Sequence, residues 1–351
     1  MKQGNSLPEV LAELKRQNEL KRDFIAPASA FRLEGESFIL SRTDGTSESL
    51  TPTDLFHRQI GSTLDIPAKY YDRMRKLKPE LLAQNVNTWF KDKGQSYMVR
   101  TIGSTARALL SARYRRIDNM EIASAVLPLF AGQEGMEVVS SAVTEQRLYL
   151  KLVNHRLEQE VLPGDVVQSG VVISNSEVGL GAVTVQPLVF RLLCSNGLIV
   201  NDLRERKAHI GRAVKAVEES FELYSDETME AEDKAFLLKL RDTARAALEE
   251  ARFAQIVGRL RESAEMKLTG RVQDVVELTG KEFGLTEPEQ ENVLKFLIEG
   301  GDLSQYGLSN AVTRASQEVE SYDRASALEG IGWSVATMPV RAWEEINERS
   351  E

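Results

Sequence analysis

The sequence of 351 residues has little of three features that help to assign a function: cysteine, histidine and long apolar runs. Its one cysteine, Cys194, excludes an internal disulfide framework and is typical of a reducing compartment. Cys194 and the three histidines are far apart in the chain, without the spacings of metal ligands. No segment has the roughly 18 consecutive apolar residues that a membrane span needs. We therefore expect a soluble, cytoplasmic protein with no metal site and no membrane partner.

Catalytic and nucleotide-binding motifs are also missing from the sequence. Lys281 follows Gly280, but a phosphate-binding loop requires glycine where Val275 stands. The same loop requires serine or threonine where Glu282 stands. We predict no catalytic residue and no cofactor.

One short pattern is compatible with a Mg²⁺-dependent nuclease, which we keep as a remote alternative. Glu205 and Lys207 match the carboxylate-x-lysine end of a common nuclease motif, and Asp165 precedes them. Such a site needs clustered carboxylates to hold Mg²⁺ and a lysine to position the attacking water. However, the tripeptide is frequent by chance, and we expect Glu205 on a helix. A simpler interpretation is a basic cluster formed by Arg204, Arg206, Lys207 and Arg212.

Charge is unevenly distributed along a chain whose net charge is −9. Residues 1–215 carry 29 Lys and Arg against 24 Asp and Glu, whereas residues 216–351 carry 15 against 29. The sequence thus combines a mildly basic body with a strongly acidic carboxy-terminal third. Segments of opposite sign can pair between subunits, so we also expect a homo-oligomer.

The most basic stretch lies between Asp92 and Asp118, where no acidic residue occurs. Its six cations are Lys93, Arg100, Arg107, Arg113, Arg115 and Arg116. The apolar run 97–102, a turn at 103–105 and a second run at 107–114 predict a hairpin, which we call the basic hairpin. Because side chains alternate along a strand, Arg107, Arg113 and Arg115 are expected on one face. Asp118 and Glu121 then predict a capped helix over about 120–130.

Two interpretations of the basic hairpin remain open. Spaced arginines can follow a phosphate backbone while a nearby tyrosine stacks on single-strand bases. Alternatively, the arginines pair with the acidic third of the protein or with a neighbouring subunit. Arg73 and Lys76 share a helix face that would extend a basic surface, although such a face is often merely solvated. The candidate nucleic-acid-binding residues are Lys93, Arg100, Arg107, Arg113, Tyr114, Arg115, Arg116, Arg73, Lys76, Arg204, Arg206 and Lys207.

The patterns predict an α+β fold, with an antiparallel sheet flanked by helices and followed by a mostly helical acidic region. In the first half they predict helices over 7–23 and from residues 51, 68 and 79, with a hairpin over 31–42. Four or five strands follow between residues 136 and 200. Helices are then expected over 204–266 with a break at 225–226, over 272–283 and 287–299, and as a final pair separated near Gly330.

These predictions suggest three regions. Residues 1–50 form an amino-terminal helix and hairpin, and residues 51–215 form the α+β core with the basic hairpin. Residues 216–351 form the acidic helical region, which packs on the core or on another subunit.

Four segments resemble one known family. They are LDIPAKYYDRM with ELLAQNVNTWF, VRTIGSTARALLSARYRRIDN, SNSEVGLGAVTVQPLVFRLLCSNGLIV, and YGLSNAVTRASQEVESYDRASALEGIGWSV. Together they resemble the prokaryotic phage/plasmid-like proteins grouped as domain of unknown function 932, from about residue 30 to about residue 340. The resemblance implies a bacterial, phage or mobile-element protein of the cytoplasm, and it implies no activity. The layout is also similar to that of phage single-strand annealing proteins, an analogy that does not establish function.

Our leading hypothesis is a non-enzymatic nucleic-acid-binding protein that binds or anneals single-stranded DNA in recombination or replication. The second hypothesis is a protein–protein adaptor or host-defence antagonist, whose acidic helices engage a host or phage partner. The nuclease is the third.

Overall fold

The computed structural model describes residues 1–42, 44–114, 116–130, 134–201, 205–207 and 226–350, with backbone alone at 205–207, 226, 229 and 230. Within these residues the fold is α+β, as predicted, with two six-stranded sheets and a helical carboxy-terminal region. No helix in the described ranges is both long and apolar enough to cross a membrane.

The first sheet is built mostly from the first 111 residues. Its strands are β1 (Lys21–Pro27), β2 (Phe31–Glu34), β3 (Ser37–Ser41), β4 (Ser47–Pro52), β5 (Ser96–Ile102) and β6 (Thr105–Ser111). They are arranged in the order β1-β5-β6-β4-β3-β2. All neighbours are antiparallel except β4 and β6, which pair in parallel. The predicted hairpins 31–42 and 97–114 are both present.

Four helices accompany this sheet: α1 (Leu7–Leu20), α2 (Asp54–Thr63), α3 (Ala68–Leu77) and α4 (Pro79–Asp92). Helices α2 to α4 bury apolar side chains against it, and the rings of Phe38 and Phe56 lie 4.8 Å apart between their centroids. Helix α2 begins later than residue 51, because Thr51 and Pro52 still belong to β4. The side chain of Thr53 caps the helix by accepting a hydrogen bond from Phe56 N (3.1 Å).

The second sheet is antiparallel throughout. Its strands are β7 (Met136–Val143), β8 (Leu148–Leu162), β9 (Asp165–Asn175), β10 (Val183–Arg191), β11 (Asn196–Ile199) and β12 (Glu205–Lys207). The order is β11-β10-β9-β8-β7, and β12 pairs with β10. Helix α5 (Asn119–Phe130) and α1 cover one face through an apolar cluster that includes Val10, Val126 and Leu150.

The carboxy-terminal helices are α6 (Asp226–Ala246), α7 (Glu250–Glu265), α8 (Val272–Phe283), α9 (Glu287–Gly300), α10 (Gln305–Ala315), α11 (Tyr322–Ala336) and α12 (Val340–Glu348). Helices α7, α10 and α11 pack on the second sheet, where Phe253, Tyr306 and Trp333 share a buried cluster with Val189. The acidic region therefore packs on the second sheet of the same chain.

Two predicted helix boundaries were wrong. A break at residues 247–249, which was not predicted, separates α6 from α7, and residues 205–207 form a strand where a helix was expected. Helix α6 begins at Asp226, beside the predicted break at 225–226. Most of the helix predicted before that break lies outside the described residues. Gly330 lies inside α11, where its carbonyl accepts a hydrogen bond from Asn201 Nδ2 (2.9 Å). A Cβ atom there would be 2.8 Å from the same nitrogen, so the glycine permits close packing and does not end the helix.

Candidate nucleic-acid interface

The basic hairpin lies inside the first sheet. Strand β5 pairs with β1 on one side and with β6 on the other, and β6 also pairs with β4. Arg100 lies opposite Ala108, and Tyr97 lies opposite Ser111. Because both strands have neighbours, the arginines in the middle of the hairpin are not on a free edge.

Arg100 is 1 % exposed and is committed to the protein itself. Its Nε and Nη2 atoms each donate to one carboxylate oxygen of Asp23 at 2.8 Å, and Nη2 also lies 3.2 Å from Asp118 Oδ1. Its Nη1 donates to the carbonyl oxygen of Glu177 (3.3 Å). The expectation that Arg100 contacts a phosphate is therefore corrected, because carboxylates already occupy its guanidinium.

Arg107 is 7 % exposed and is paired in the same way. Its Nη1 lies 3.2 Å from Glu177 Oε2, while Glu177 Oε1 accepts a hydrogen bond from Asn119 N (2.7 Å). Glu177 thus connects β6 to the start of α5 from the loop between β9 and β10. The Tyr114 hydroxyl donates to the Ser176 carbonyl (3.1 Å), and burial raises the pKa of this phenol above its usual range. Both Arg107 and Tyr114, two of the candidate nucleic-acid-binding residues, are thus engaged by groups of the protein itself.

The remaining cations of the hairpin differ in their surroundings. Arg116 is exposed but lies 3.5 Å from Asp23, and Lys93 lies 3.9 Å from Asp65. Arg113 is exposed, and no described carboxylate lies within ion-pair distance of it. Among the residues of the hairpin that the structure describes, Arg113 therefore has the guanidinium best placed for a ligand.

Four of the predicted residues give less information. Arg115 and Arg204 lie outside the described residues. Arg206 and Lys207 belong to β12, where their backbones pair with Thr184 and Val183. The described part of the chain therefore gives no side-chain position for any of the four.

A second basic surface lies on α3 and α4. Residues 68–93 contain seven Lys and Arg against three Asp and Glu. Two aromatic side chains are half exposed on this surface, Tyr70 at 49 % and Trp89 at 50 %. Further exposed members are Lys69, Arg73, Lys76, Leu77 and Leu81. We call these seven residues the α3–α4 face.

Two contacts fix the register of the helix pair. Asn85 Nδ2 lies 3.9 Å from Met74 Sδ, and Lys93 Nζ lies 3.9 Å from Asp65 Oδ2. Tyr70 is one turn before Met74 in α3, and Trp89 is one turn after Asn85 in α4. Each aromatic residue therefore lies between the two contacts, Tyr70 on α3 and Trp89 on α4. Arg73 is three residues after Tyr70, so its position on the helix surface neighbours that of the tyrosine.

A buried polar pair anchors α3 to α2. The hydroxyl of Tyr71 lies 2.9 Å from His57 Nδ1, and both side chains are buried. Burial lowers the pKa of His57 to about 4, and the nearby Arg75 adds to this effect. The imidazole is therefore neutral in the folded protein near pH 7.

The lowered pKa of His57 predicts that the folded protein is less stable at acid pH. Between its ordinary pKa of 6.5 and about 4, the unfolded chain binds a proton at His57 that the folded chain does not bind. At 1.4 kcal/mol per pKa unit, the free energy of unfolding should fall by about 2 kcal/mol between pH 7.5 and pH 5 through this group. Urea denaturation at both pH values should show a smaller fall in a His57→Gln variant. An equal fall in the variant and the parent would contradict this assignment.

A cleft of about 580 Å³ lies at the open end of the basic hairpin. It is lined by Thr63 at the end of α2, by residues 95–97 and by residues 109–113. Lys93 is two residues before Gln95, and it is also one turn after Trp89. The segment that follows α4 therefore leads into the lining of the cleft, which also includes Arg113.

More than half of the chain matches a known family. A family model described as Domain of unknown function (DUF932) covers residues 107–326. The chain belongs to the DUF932 family. This confirms the predicted resemblance, and the description gives no activity. No curated protein and no solved structure matches the chain significantly.

The DUF932 match runs from β6 to α11, so it includes the Glu177 loop and excludes the α3–α4 face. Two of the segments that carried the resemblance meet at a buried joint, of which one residue, Glu329, lies just beyond the matched range. Asn196 Nδ2 donates to Thr313 Oγ1 (2.5 Å), and Lys151 Nζ lies 2.6 Å from Glu329 Oε2. These contacts join the second sheet to α10 and α11.

The described residues do not assemble the nuclease site within the DUF932 segment. Asp165 accepts hydrogen bonds from Arg191 Nε (2.6 Å) and from the Tyr306 hydroxyl (2.9 Å). Glu205 pairs through Val185 with Ile173, eight residues along β9 from Asp165. At about 3.3 Å per residue, the two acidic positions are roughly 26 Å apart. Over the described ranges, no group of three metal-ligating side chains is close enough to hold an ion.

Trp89 was missing from the predicted site, although the sequence contained a usable signal. Leu82, Val86 and Phe90 follow one another at helical spacing and are buried. Trp89 comes seven residues, about two turns, after Leu82, so it lies at the margin of that stripe, and its side chain is half exposed. An aromatic residue beside a buried stripe and near several cations is a candidate contact for nucleic acid.

Proposed function

We propose that the protein binds single-stranded nucleic acid through its α3–α4 face, as a non-enzymatic component of recombination or replication in a phage or mobile element. The expected ligand is single-stranded DNA in a bacterial cytoplasm. The observation that carries the proposal is the half-exposed position of Tyr70 and Trp89 on the two paired helices, with the exposed Arg73 three residues after Tyr70.

The chemistry of this face suits a flexible single strand. Every base has a flat apolar surface that can stack on an aromatic ring, and one such contact is worth about 1–3 kcal/mol. Lys69, Arg73 and Lys76 supply positive charge for the phosphates, and no described carboxylate forms an ion pair with any of the three. In a duplex the bases are stacked on one another, so their flat surfaces are not available to Tyr70 and Trp89. We therefore expect a preference for single strands.

The basic hairpin supports the proposal less than its sequence predicted. Arg100 and Arg107 are buried and paired within the first sheet. Arg113 is the member that the structure leaves exposed and without an ion-pair partner among the described residues. The basic surface that supports binding is therefore centred on the two helices.

Charge reversal on the face provides the test. An Arg73→Glu/Lys76→Glu variant should lose most of its affinity for a labelled single-stranded oligonucleotide. Fluorescence anisotropy at low and moderate salt should show the slope of log affinity against log salt reduced by about 1.4, or 0.7 for each lost phosphate contact. Both residues are exposed, so circular dichroism should show an unchanged fold.

The matched control reverses two exposed cations elsewhere, Arg271 before α8 and Arg341 in α12. An Arg271→Glu/Arg341→Glu variant makes the same change in net charge and should bind as the parent does. An equal loss in both variants would indicate an effect of net charge alone. If the parent binds neither single strands nor duplex at low salt, where electrostatic attraction is strongest, the proposal fails. A protein partner would then be the better hypothesis.

A further inference from the structure

The cleft at the end of the basic hairpin has the size and lining of a small-ligand site. Its volume of about 580 Å³ lies within the roughly 300–1,000 Å³ that such sites occupy. The end of α2, the start of β5 and the end of β6 line it, together with Gln95 just before β5 and residues 112–113 just after β6. Stacking on the α3–α4 face does not use this space.

One side of the cleft offers hydrogen-bond donors. Gln95 Oε1 accepts a bond from the Tyr97 hydroxyl (3.1 Å), so its NH₂ group is the part that can donate to a ligand. Ser111 Oγ accepts a bond from the backbone N of Arg113 (3.2 Å), which leaves the hydroxyl hydrogen to be donated. The exposed guanidinium of Arg113 adds a positive charge, and no carboxylate occurs among the lining residues. Such a group of donors is suited to an anion.

The other side of the cleft is apolar. Tyr97 lies opposite Ser111 in the hairpin and is a half-buried member of an apolar cluster that includes the buried Leu109. Its ring and Ala112 supply the apolar lining. The ligand that matches both sides carries an anionic group attached to a flat, weakly polar body. A nucleoside monophosphate has this combination.

We infer that the cleft binds one nucleoside monophosphate unit, with its phosphate at Arg113 and its base against Tyr97 and Ala112. In a strand held on the α3–α4 face, this unit is a phosphorylated terminal nucleotide. The cleft is near the end of α4, because Thr63 in its lining is two residues from Asp65, whose carboxylate lies 3.9 Å from Lys93. This role at a strand end rests on the proposed function and deepens it. Binding of the free mononucleotide does not require the α3–α4 face.

The test uses thymidine 5′-monophosphate as the probe, with the full chain and isothermal titration calorimetry. Thymidine and inorganic phosphate should each bind at least tenfold more weakly than the monophosphate, since each lacks one half of the ligand. Arg113→Glu, an exposed substitution, and Ala112→Trp, which fills the cleft, should each weaken monophosphate binding at least tenfold. The Arg73→Glu/Lys76→Glu variant should bind it as the parent does.

The possible results separate the cleft from the α3–α4 face. Absence of monophosphate binding, or binding unchanged by both cleft variants, overturns the inference even if oligonucleotides bind. Inorganic phosphate that binds as tightly as the monophosphate overturns the base contact. If the monophosphate binds while oligonucleotides do not, the cleft stands and the single-strand proposal fails. Tighter binding of a 5′-phosphorylated than of a 5′-hydroxyl oligonucleotide supports the strand-end role, and equal binding overturns it.

Discussion

A Lys151→Met variant should lose about 3–5 kcal/mol of folding free energy, the usual cost of breaking a buried ion pair on one side. The ammonium of Lys151 lies 2.6 Å from Glu329 Oε2, and both side chains are 0 % exposed. It also lies 4.7 Å from the centre of the Tyr322 ring. Without the lysine, the carboxylate of Glu329 would remain buried and would lose this ion-pair partner. Urea denaturation followed by circular dichroism should show the loss.

A double variant distinguishes the cost of an unpaired buried charge from the cost of altered packing. Lys151→Met/Glu329→Leu removes both charges and should regain most of the stability, because apolar replacements of a buried pair are often neutral. The matched surface control is Lys281→Met, which breaks the exposed pair with Glu277 and should cost less than about 1 kcal/mol. The interpretation would be wrong if Lys151→Met cost no more than Lys281→Met. It would also be wrong if the double variant were as unstable as the single one.

This ion pair shows a limit of prediction from sequence. Lys151 lies in the apolar strand sequence LYLKLV, and Glu329 lies 178 residues later in the chain. A charged residue in the middle of an apolar strand suggests a buried partner, but spacing cannot identify a partner at such a distance. The second sheet and α11 had to be placed against one another before the pair could be recognised.

The basic hairpin was predicted correctly as local structure and incorrectly in its surroundings. Its turn and its apolar runs are local signals, and β5 and β6 form where these signals indicate. The exposure of the arginines depends on the strands that pair with β5 and β6. These are β1, which includes residues 21–23 that were predicted to be helical, and β4, which pairs with β6 in parallel. Arg100 therefore meets Asp23, and Arg107 meets Glu177, over 70 or more residues of sequence. These partners also differ from the predicted ones, because they belong to the body and not to the acidic third.

Helix ends were predictable where the backbone itself carries the signal. Gly284 and Gly301 adopt positive φ angles directly after α8 and α9, and both helices match their predicted ranges closely. The break at residues 247–249 contains neither glycine nor proline, so no local pattern marked it. Gly330 led to the opposite error, because a helix break was predicted there. It lies inside α11, where it leaves space for the contact with Asn201.

The largest effect on binding is expected from the two aromatic residues of the α3–α4 face. A Tyr70→Ala/Trp89→Ala variant removes two stacking contacts, each worth about 1–3 kcal/mol, so the affinity for single-stranded DNA should fall by about 30-fold or more. Both side chains are half exposed, and their truncation leaves the buried stripe of Val86 and Phe90 intact. The salt dependence should change little, because the phosphate contacts of Arg73 and Lys76 remain. Fluorescence anisotropy measures both quantities.

Intrinsic fluorescence gives a second readout, because the three tryptophans differ in exposure. Trp89 is 50 % exposed, whereas Trp333 and Trp343 are buried, so acrylamide should quench mainly Trp89 in the free protein. A bound oligonucleotide that stacks on Trp89 should protect it, and a Trp89→Phe variant should lose this protected signal while it retains most of the affinity. The control for lost apolar surface is Ile25→Ala/Leu193→Ala, which truncates two other exposed side chains and should bind as the parent does. Unchanged affinity in Tyr70→Ala/Trp89→Ala, or unchanged quenching of Trp89 at saturating DNA, would exclude stacking on this face.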